Sequence, residues 1–539
     1  MEGMEKKREL CYNFKGSQTI SGGFWILARK DKLIKTTAMV TVVIILSKLF
    51  GLVRDMITAG YFGTGVENDA YASAYTLFYL PVLLFNSCIT ATVVPLFVEE
   101  REKFSLKHSN RFASNALNLF ILASLIIAAV MYAFARPIVT LIFRFDAAGI
   151  ALTVRLTRIM MLGLAFNVAS IVLSSLLNAM EKFMAAQLTG FPLSVAVILS
   201  TVLFSGRLGI EAVAWGVFAA SVLQALILIP FLVGWFDYQP VIDLRDKRFH
   251  RLLKLAGPAI LSMGVSEINH LIDRSLASGL AAGSISAMNY AYKLITFLLG
   301  VLMVPLTTVM FSKMSKLAAD NDRRGLLYAL RRGIVLISMA TLPIVAVAMV
   351  MSQDVVKLVY MRGSFNMDSV RLTGGVLLFY LVGVLSFGFR DYMNRTFHAI
   401  QDTKTPFRVS CMVVALNVVL NLILRTFMGA NGLALATSIS SYCGLLVMLF
   451  LLRRRMGHLG FKRIAGEMLR IVVAAVVCAA VCLLMNRVLP EAVGTLRVFL
   501  RLVVATAASF AAYIIACLLL RVNTLSELAG SFKRRARKS

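Results

Sequence analysis

The sequence predicts an all-α polytopic membrane protein of about 14 transmembrane helices, arranged as two pseudo-symmetric six-helix lobes plus two extra helices. Three observations lead there: too little charge for a water-facing surface, a succession of apolar runs of spanning length, and an internal repeat. Of 539 residues, 59% are hydrophobic and only 15% charged, with mean hydropathy +0.80. A soluble domain carries charge on about a quarter of its residues, so this chain lacks the polar material to cover a core. Disordered, collagenous and disulfide-stapled classes fall on the same figures.

A spanning helix needs about 20 mostly apolar residues. Such runs lie near 37–60, 68–98, 109–135, 150–179, 184–205, 209–236, 254–279, 285–312, 328–352, 370–398, 406–427, 430–452, 466–487 and 497–520. An even number of crossings puts both termini on one side.

A net charge of +29 would suggest nucleic acid in a soluble protein. Here its location matters more. The leading tail holds Lys6, Lys7, Arg8, Lys15, Arg29, Lys30, Lys32 and Lys35. Every second connection is also basic: Arg101, Lys103 and Lys107; Arg245, Lys247, Arg248 and Arg251; Lys313, Lys316, Arg323 and Arg324; Arg453, Arg454, Arg455, Lys462 and Arg463. The chain closes on Lys533, Arg534, Arg535, Arg537 and Lys538. Basic loops stay in the cytoplasm, so both termini are expected there, attracted to anionic membrane lipids and without a nucleic-acid partner. The first 35 residues are too polar and basic for a signal peptide. Cys88, Cys411, Cys443, Cys478, Cys482 and Cys517 sit in apolar runs, with no metal or redox spacing.

The chain resembles itself at an offset near 219. Leu52-Val53-Arg54-Asp55, Gly60 and Tyr71-Ala72 parallel Leu271-Ile272-Asp273-Arg274, Gly279 and Tyr290-Ala291; at offset 220, Leu177-Asn178-Ala179-Met180 parallels Phe397-His398-Ala399-Ile400. Six helices separate the copies, which gives a parallel repeat, an arrangement of secondary transporters with substrate between two lobes. The expected division is a basic tail (1–36), an N-lobe (37–236), a linker (237–253), a C-lobe (254–454), helices 13 and 14 (455–521) and a basic tail (522–539).

Ionisable groups inside a bilayer face a partner or a cavity. The first helix carries Lys48, Arg54 and Asp55, which with Gly51 occupy an arc of about 120° at 100° per residue. The second opens with Asp69, the eighth carries Lys293, and the seventh holds Glu267, Asn269, His270, Asp273 and Arg274. Two readings stand. Arg54 pairs with Asp55 or Asp69, and Asp273 with Arg274, as structural ion pairs; or Lys48, Arg54 and Lys293 line a central cationic cleft suited to phosphate oxygens. His270 reads as a hydrogen-bonded packing residue. Arg362-Gly363-Ser364-Phe365 reads as an outer turn, and Asp402-Thr403-Lys404-Thr405-Pro406 as a turn that caps the eleventh helix. No phosphate-cradling loop, catalytic-sized soluble segment or nucleophile with a base is present. The chain therefore reads as a transporter without a cofactor.

Arg54-Asp55-Met56-Ile57-Thr58-Ala59-Gly60-Tyr61-Phe62-Gly63-Thr64-Gly65 followed by Asp69-Ala70-Tyr71 resembles the first-helix signature of the MurJ/MviN family. Leu177-Asn178-Ala179 with Phe183, the 362–365 and 402–406 turns, Phe397-His398-Ala399 and Gly432-Leu433-Ala434-Leu435-Ala436-Thr437-Ser438 extend the likeness over about residues 37–520. It implies a lipid II flippase of the MOP exporter superfamily, in the bacterial cytoplasmic membrane, moving an undecaprenyl-pyrophosphate-linked peptidoglycan precursor outward. Cell-wall synthesis proteins are the implied partners. By matching position it assigns Arg54, Asp69, Lys48 and Lys293 to substrate binding, and Asp55, on the charged arc of the first helix, joins that candidate set. It also assigns Asp273, Asn417, Asn421 and Thr437 to a sodium site. Lys48 and Lys293 stand where many members have arginine, and Leu80-Pro81-Val82-Leu83 where some carry another arginine. Two alternatives keep the fold: a flippase for another polyprenyl-linked oligosaccharide, such as an exopolysaccharide or teichoic-type unit, and a MATE-like cation-coupled drug exporter. A membrane-embedded transferase is the third.

Overall fold

The computed structural model describes residues 39–490 and 494–524, and every regular element among them is helical. The predicted N-terminal basic tail and all of the C-terminal tail beyond 524 lie outside the described residues.

In the first half, α1 runs over 39–62. It is followed by α2 (Val66–Lys103), α3 (Leu106–Ala133), α4 (Ala135–Ile142), α5 (Ala147–Met161), α6 (Leu164–Ala179), α7 (Phe183–Gln187), α8 (Gly190–Leu208), α9 (Glu211–Leu226) and α10 (Ile229–Leu232). The second half comprises α11 (Lys247–Ala277), α12 (Ser284–Ala319), α13 (Arg323–Val350), α14 (Ser352–Tyr360), α15 (Met367–Ala399) and α16 (Lys404–Met456). Then α17 (Lys462–Val488) and α18 (Thr495–Leu519) follow. All fourteen predicted runs fall on these helices. Ten helices are long and apolar enough to cross a membrane, and the α5–α6 pair, bent by 43°, makes eleven. The two limbs of α16 cover the eleventh and twelfth predicted runs, and the more highly charged α1 and α11 cover the first and seventh.

The 53 residues of α16 are two spans because Gly429 takes φ 55° and ψ −131°, a conformation essentially confined to glycine. The chain folds back tightly there: a Cβ on Gly432 would stand 2.3 Å from the Leu424 carbonyl oxygen. Asp402 caps the first limb as expected, accepting from the Thr405 amide at 3.0 Å and its hydroxyl at 2.7 Å. Burial pushes its carboxyl up, but the Thr405 hydrogen bonds and the nearby Arg455 win and hold it below the usual range.

The repeat is visible in backbone geometry. After α6, Glu181 adopts φ 61° and the Lys182 amide donates to the Leu177 carbonyl at 2.8 Å; after α15, Gln401 adopts φ 60° and Asp402 donates to Phe397 at 2.9 Å. This six-to-one closure ends a helix sharply; it also follows α12 and α18, at Asn321 and Arg521, and the pair at Glu181 and Gln401 lies at the offset of 220. The short helices α4 and α14 occupy corresponding places before the fourth and tenth spans. Neither was expected from composition, since each is under ten residues.

One core cluster draws on residues from Ala70 to Leu252, another on residues from Met303 to Leu459. A third joins Ala59 and Ala72 to residues from Ala277 to Ala434, so it is where the halves meet. The last two helices pack on α13 through Ile471, Cys478, Cys517 and Val335.

Gly429→Val is expected to lower stability by about 1–3 kcal/mol, since a Cβ there has open space and only the backbone is strained. The check is a melting curve of the purified protein in detergent. Gly206→Ala, in α8 and equally open, should leave the curve unchanged or raise it.

Candidate substrate site

The centre of the molecule is a seam between α1 and α12. Asp55 Oδ1 accepts from Arg54 Nη2 at 3.0 Å and from Lys293 Nζ at 2.8 Å. Arg54 Nε adds a third contact at 3.1 Å. The carboxylate side chain is 10% exposed, Arg54 18% and Lys293 31%, so the cations keep more access than the anion between them. Two cations on one carboxylate leave the cluster net positive. Lys48, nearly two turns away on α1, points its ammonium at α12, where a Cβ on Gly300 would stand 2.7 Å from it. The arc predicted for Lys48, Arg54 and Asp55 is thus the face α1 turns toward α12.

Asp69 does not join this group. It is buried and caps the start of α12, accepting from the Gly283 and Ser286 amides at 2.7 Å each and from the Ser286 hydroxyl. No side chain caps α12 at its own Gly283. A carboxylate from the other half therefore satisfies the orphan amides and the positive end of the helix dipole. Other bonds join the halves on the same face. Asn68 Nδ2 donates to the Gly63 carbonyl and the Tyr290 hydroxyl at 2.6 Å each. Thr64 bonds Ser369 at 2.7 Å, and the Ser364 amide donates to the Gly60 carbonyl at 2.7 Å. Gly363, at φ 53°, lies so close that a Cβ would stand 2.3 Å from the Gly60 oxygen. The Arg362–Phe365 turn is therefore half of an inter-half latch, a role that its own residues did not disclose.

The basic connections lie at the opposite face. There Arg248 pairs with Glu100 at 3.1 Å and Arg251 with Glu99 at 3.1 Å.

The predicted pairing of Asp273 with Arg274 is not made. Arg274 Nη1 reaches the Ala72 carbonyl at 3.1 Å, while Asp273 accepts from Asn421 Nδ2 at 2.6 Å. Consecutive residues on a helix point about 100° apart, and here they face different neighbours. Arg54 likewise pairs with Asp55, not with Asp69. The four residues proposed for a cation do converge: Asn417 lies 2.9 Å from Asn421 and 3.3 Å from Thr437. Asn421 Oδ1 is buried without a partner, and Asn269 approaches Asp273 at 3.4 Å. One carboxylate, amide oxygens and a hydroxyl suit a hard cation. Among the described residues no group of three or more His, Cys, Asp or Glu could hold a metal. His270 packs edge-on against Tyr292 at 5.1 Å, as expected.

Ten or eleven helices of membrane-crossing length and a charged seam between the halves fit a transporter of the MOP type. Solved MOP-superfamily structures agree in fold: an inward-facing MATE multidrug transporter matches 77% of this chain and 95% of its own, with TM-score 0.68 and 16% identity. A structure titled lipid II flippase MurJ, inward closed conformation, matches 90% of this chain and 99% of its own, with TM-score 0.77 and 25% identity. The family model described as lipid II flippase MurJ matches residues 58–521, and the chain belongs to that family. Curated relatives named "Probable lipid II flippase MurJ" include those of Rhizobium meliloti (29% identical, covering 83% of this chain and 86% of the relative) and Vibrio cholerae (28%, covering 77% and 82%). A third is from Rhizobium tropici (28%, covering 77% and 79%). The protein is thus a multi-span protein of the bacterial inner membrane.

Asp69→Ala removes the cap of α12 and should loosen the latch face. A Cys placed at Ser369 is expected to react several-fold faster with a membrane-impermeant maleimide when Asp69 is also Ala. Unchanged reactivity would show that the carboxylate does not hold the face shut.

Proposed function

We propose that this chain flips lipid II, the undecaprenyl-pyrophosphate-linked peptidoglycan precursor, from the cytoplasmic to the outer leaflet by alternating access. Both termini and the basic face lie in the cytoplasm on this reading, and the latch face is the outer gate. The observation that carries it is the clamp in which Arg54 and Lys293, from different halves, share Asp55. A pyrophosphate offers the same oxygens with more charge. It takes over both cations, with Arg54 supplying the fork that phosphate favours and Lys293 a point charge. Lys48 extends the cationic wall toward the cytoplasm. Displacing Asp55 alters the contact between α1 and α12, so binding acts on the seam that must open. The polyprenyl chain stays among lipid tails. An inside-negative potential favours outward movement of the anion by about 2.3 kcal/mol per charge per 100 mV. Cell-wall synthesis proteins that consume lipid II outside are the natural partners.

Asp273, Asn417, Asn421 and Thr437 would hold a sodium ion, with the unsatisfied Asn421 oxygen as one ligand. The ion would supply positive charge between α11 and the two limbs of α16.

Arg54→Ala is expected to abolish complementation of a strain depleted of its own flippase, with membrane levels of the protein unchanged. Full growth would remove the assigned role. Sodium, but not potassium, should raise the melting temperature of the wild-type protein, and Asp273→Ala should erase that difference. Equal stabilisation of both proteins would rule the ion out of this site.

A further inference from the structure

A cavity of about 410 Å³ lies among α11, α12, α15 and α16, lined among others by Asn269, Tyr292, Arg390, Asp391 and Asn394. Arg390 stands out in it. Among the described residues no ion pair or hydrogen bond to Arg390 is formed, and its Nε is buried without a partner. The adjacent Asp391 is taken by Arg395 at 3.0 Å, so the three charges sum to one positive. A guanidinium cannot shed its proton, and an unanswered one among spanning helices is costly and marks function. Among the described residues no anion answers it, which leaves room for one on a bound molecule.

Its position relative to the pyrophosphate clamp can be measured along two helices. Tyr292, next to Lys293, packs on Tyr380 with ring centroids 5.9 Å apart. Arg390 is ten residues further along α15, about 15 Å at 1.5 Å per residue. On α12, Met303 is ten residues beyond Lys293 and abuts Gly388, two residues from Arg390. Both routes place the guanidinium about 15 Å from the clamp, toward the basic face. An extended peptide advances about 3.3–3.6 Å per residue, so a stem of five residues reaches about 17 Å. The peptide of lipid II hangs from the sugar next to the pyrophosphate and carries free carboxylates. The cavity in the first half offers a contrast: its 320 Å³ are lined by neutral groups such as Asn86, Asn167, Asn178 and Gln224, with no charge.

We propose that Arg390 receives a carboxylate of the substrate's peptide stem while the pyrophosphate occupies Arg54 and Lys293. Asn269 and Asn394 are placed to hydrogen-bond the peptide backbone. The proposal rests on the flippase reading and adds a second anchor, which would make the protein select for the peptide as well as for the lipid phosphate.

The test uses the full chain in nanodiscs and three lipids: lipid II, lipid II with its peptide carboxylates amidated, and the peptide-free undecaprenyl-pyrophosphoryl disaccharide. Wild type is expected to bind the first about tenfold more tightly than the other two. Arg390→Gln should bind all three as weakly as wild type binds the peptide-free lipid, and Arg390→Lys should keep part of the preference. Arg54→Ala should weaken all three alike. Retained discrimination in Arg390→Gln overturns the proposal, as does equal weakening toward all three lipids by Arg390→Gln and Arg390→Lys. A wild type that binds no pyrophosphoryl lipid better than phosphatidylglycerol would instead defeat the flippase reading.

Discussion

A carboxylate inside a bilayer must be answered by cations or by backbone amides, and two such answers hold the halves of this molecule together. Asp55 is met by Arg54 and Lys293, and Asp69 by the amides that open α12. Both grip α12 from the first half, at points about 10 Å apart along its axis. One grip is made by side-chain cations, which on the proposed reading a phosphate can compete for. The other is made by main-chain amides at the first turn of α12, on the latch face. The rest of the architecture supports α12 in that position: α15 and α13 behind it, with α17 and α18 packed on α13.

Much of this was legible in the chain. Fourteen apolar runs became fourteen helical segments because a bilayer leaves the backbone little choice but to bond itself. The arc of Lys48, Arg54 and Asp55 was also readable, since helical periodicity fixes which residues share a face. Partners across the halves were not. Asp69 looked like a cleft residue because its neighbours, Gly283 and Ser286, are more than 200 residues away and are ordinary in composition. The Arg362–Phe365 turn looked architectural because its contacts run through backbone atoms. Arg390 drew no notice, lying between Phe389 and Asp391 near the polar end of a span; only the packed structure shows that no carboxylate among the described residues answers it.

The repeat explains a further asymmetry. Arg54-Asp55 in the first half and Asp273-Arg274 in the second occupy corresponding places with the order of charge reversed. In the first copy the two residues bond each other and a lysine. In the second they part: the carboxylate turns to asparagines and the guanidinium reaches back to α2. Corresponding places in the two halves thus hold a net-positive cluster on one side and an oxygen-lined cluster on the other.

The latch between the halves has one property that follows from its atoms. Its bonds from Ser364 to Gly60 and from Gly283 and Ser286 to Asp69 all use main-chain amides, and Gly63 and Gly363 leave no room for side chains between the strands of the closure. The donors place little demand on their own side chains, because nearly every residue offers the same amide, whereas the Asp69 carboxylate and the two glycines are needed for what they are. The latch therefore depends on a few positions, Asp69, Gly63 and Gly363, and otherwise on the course of the main chain. Its mechanical behaviour is written in chain geometry, where comparison of side chains alone would overlook it.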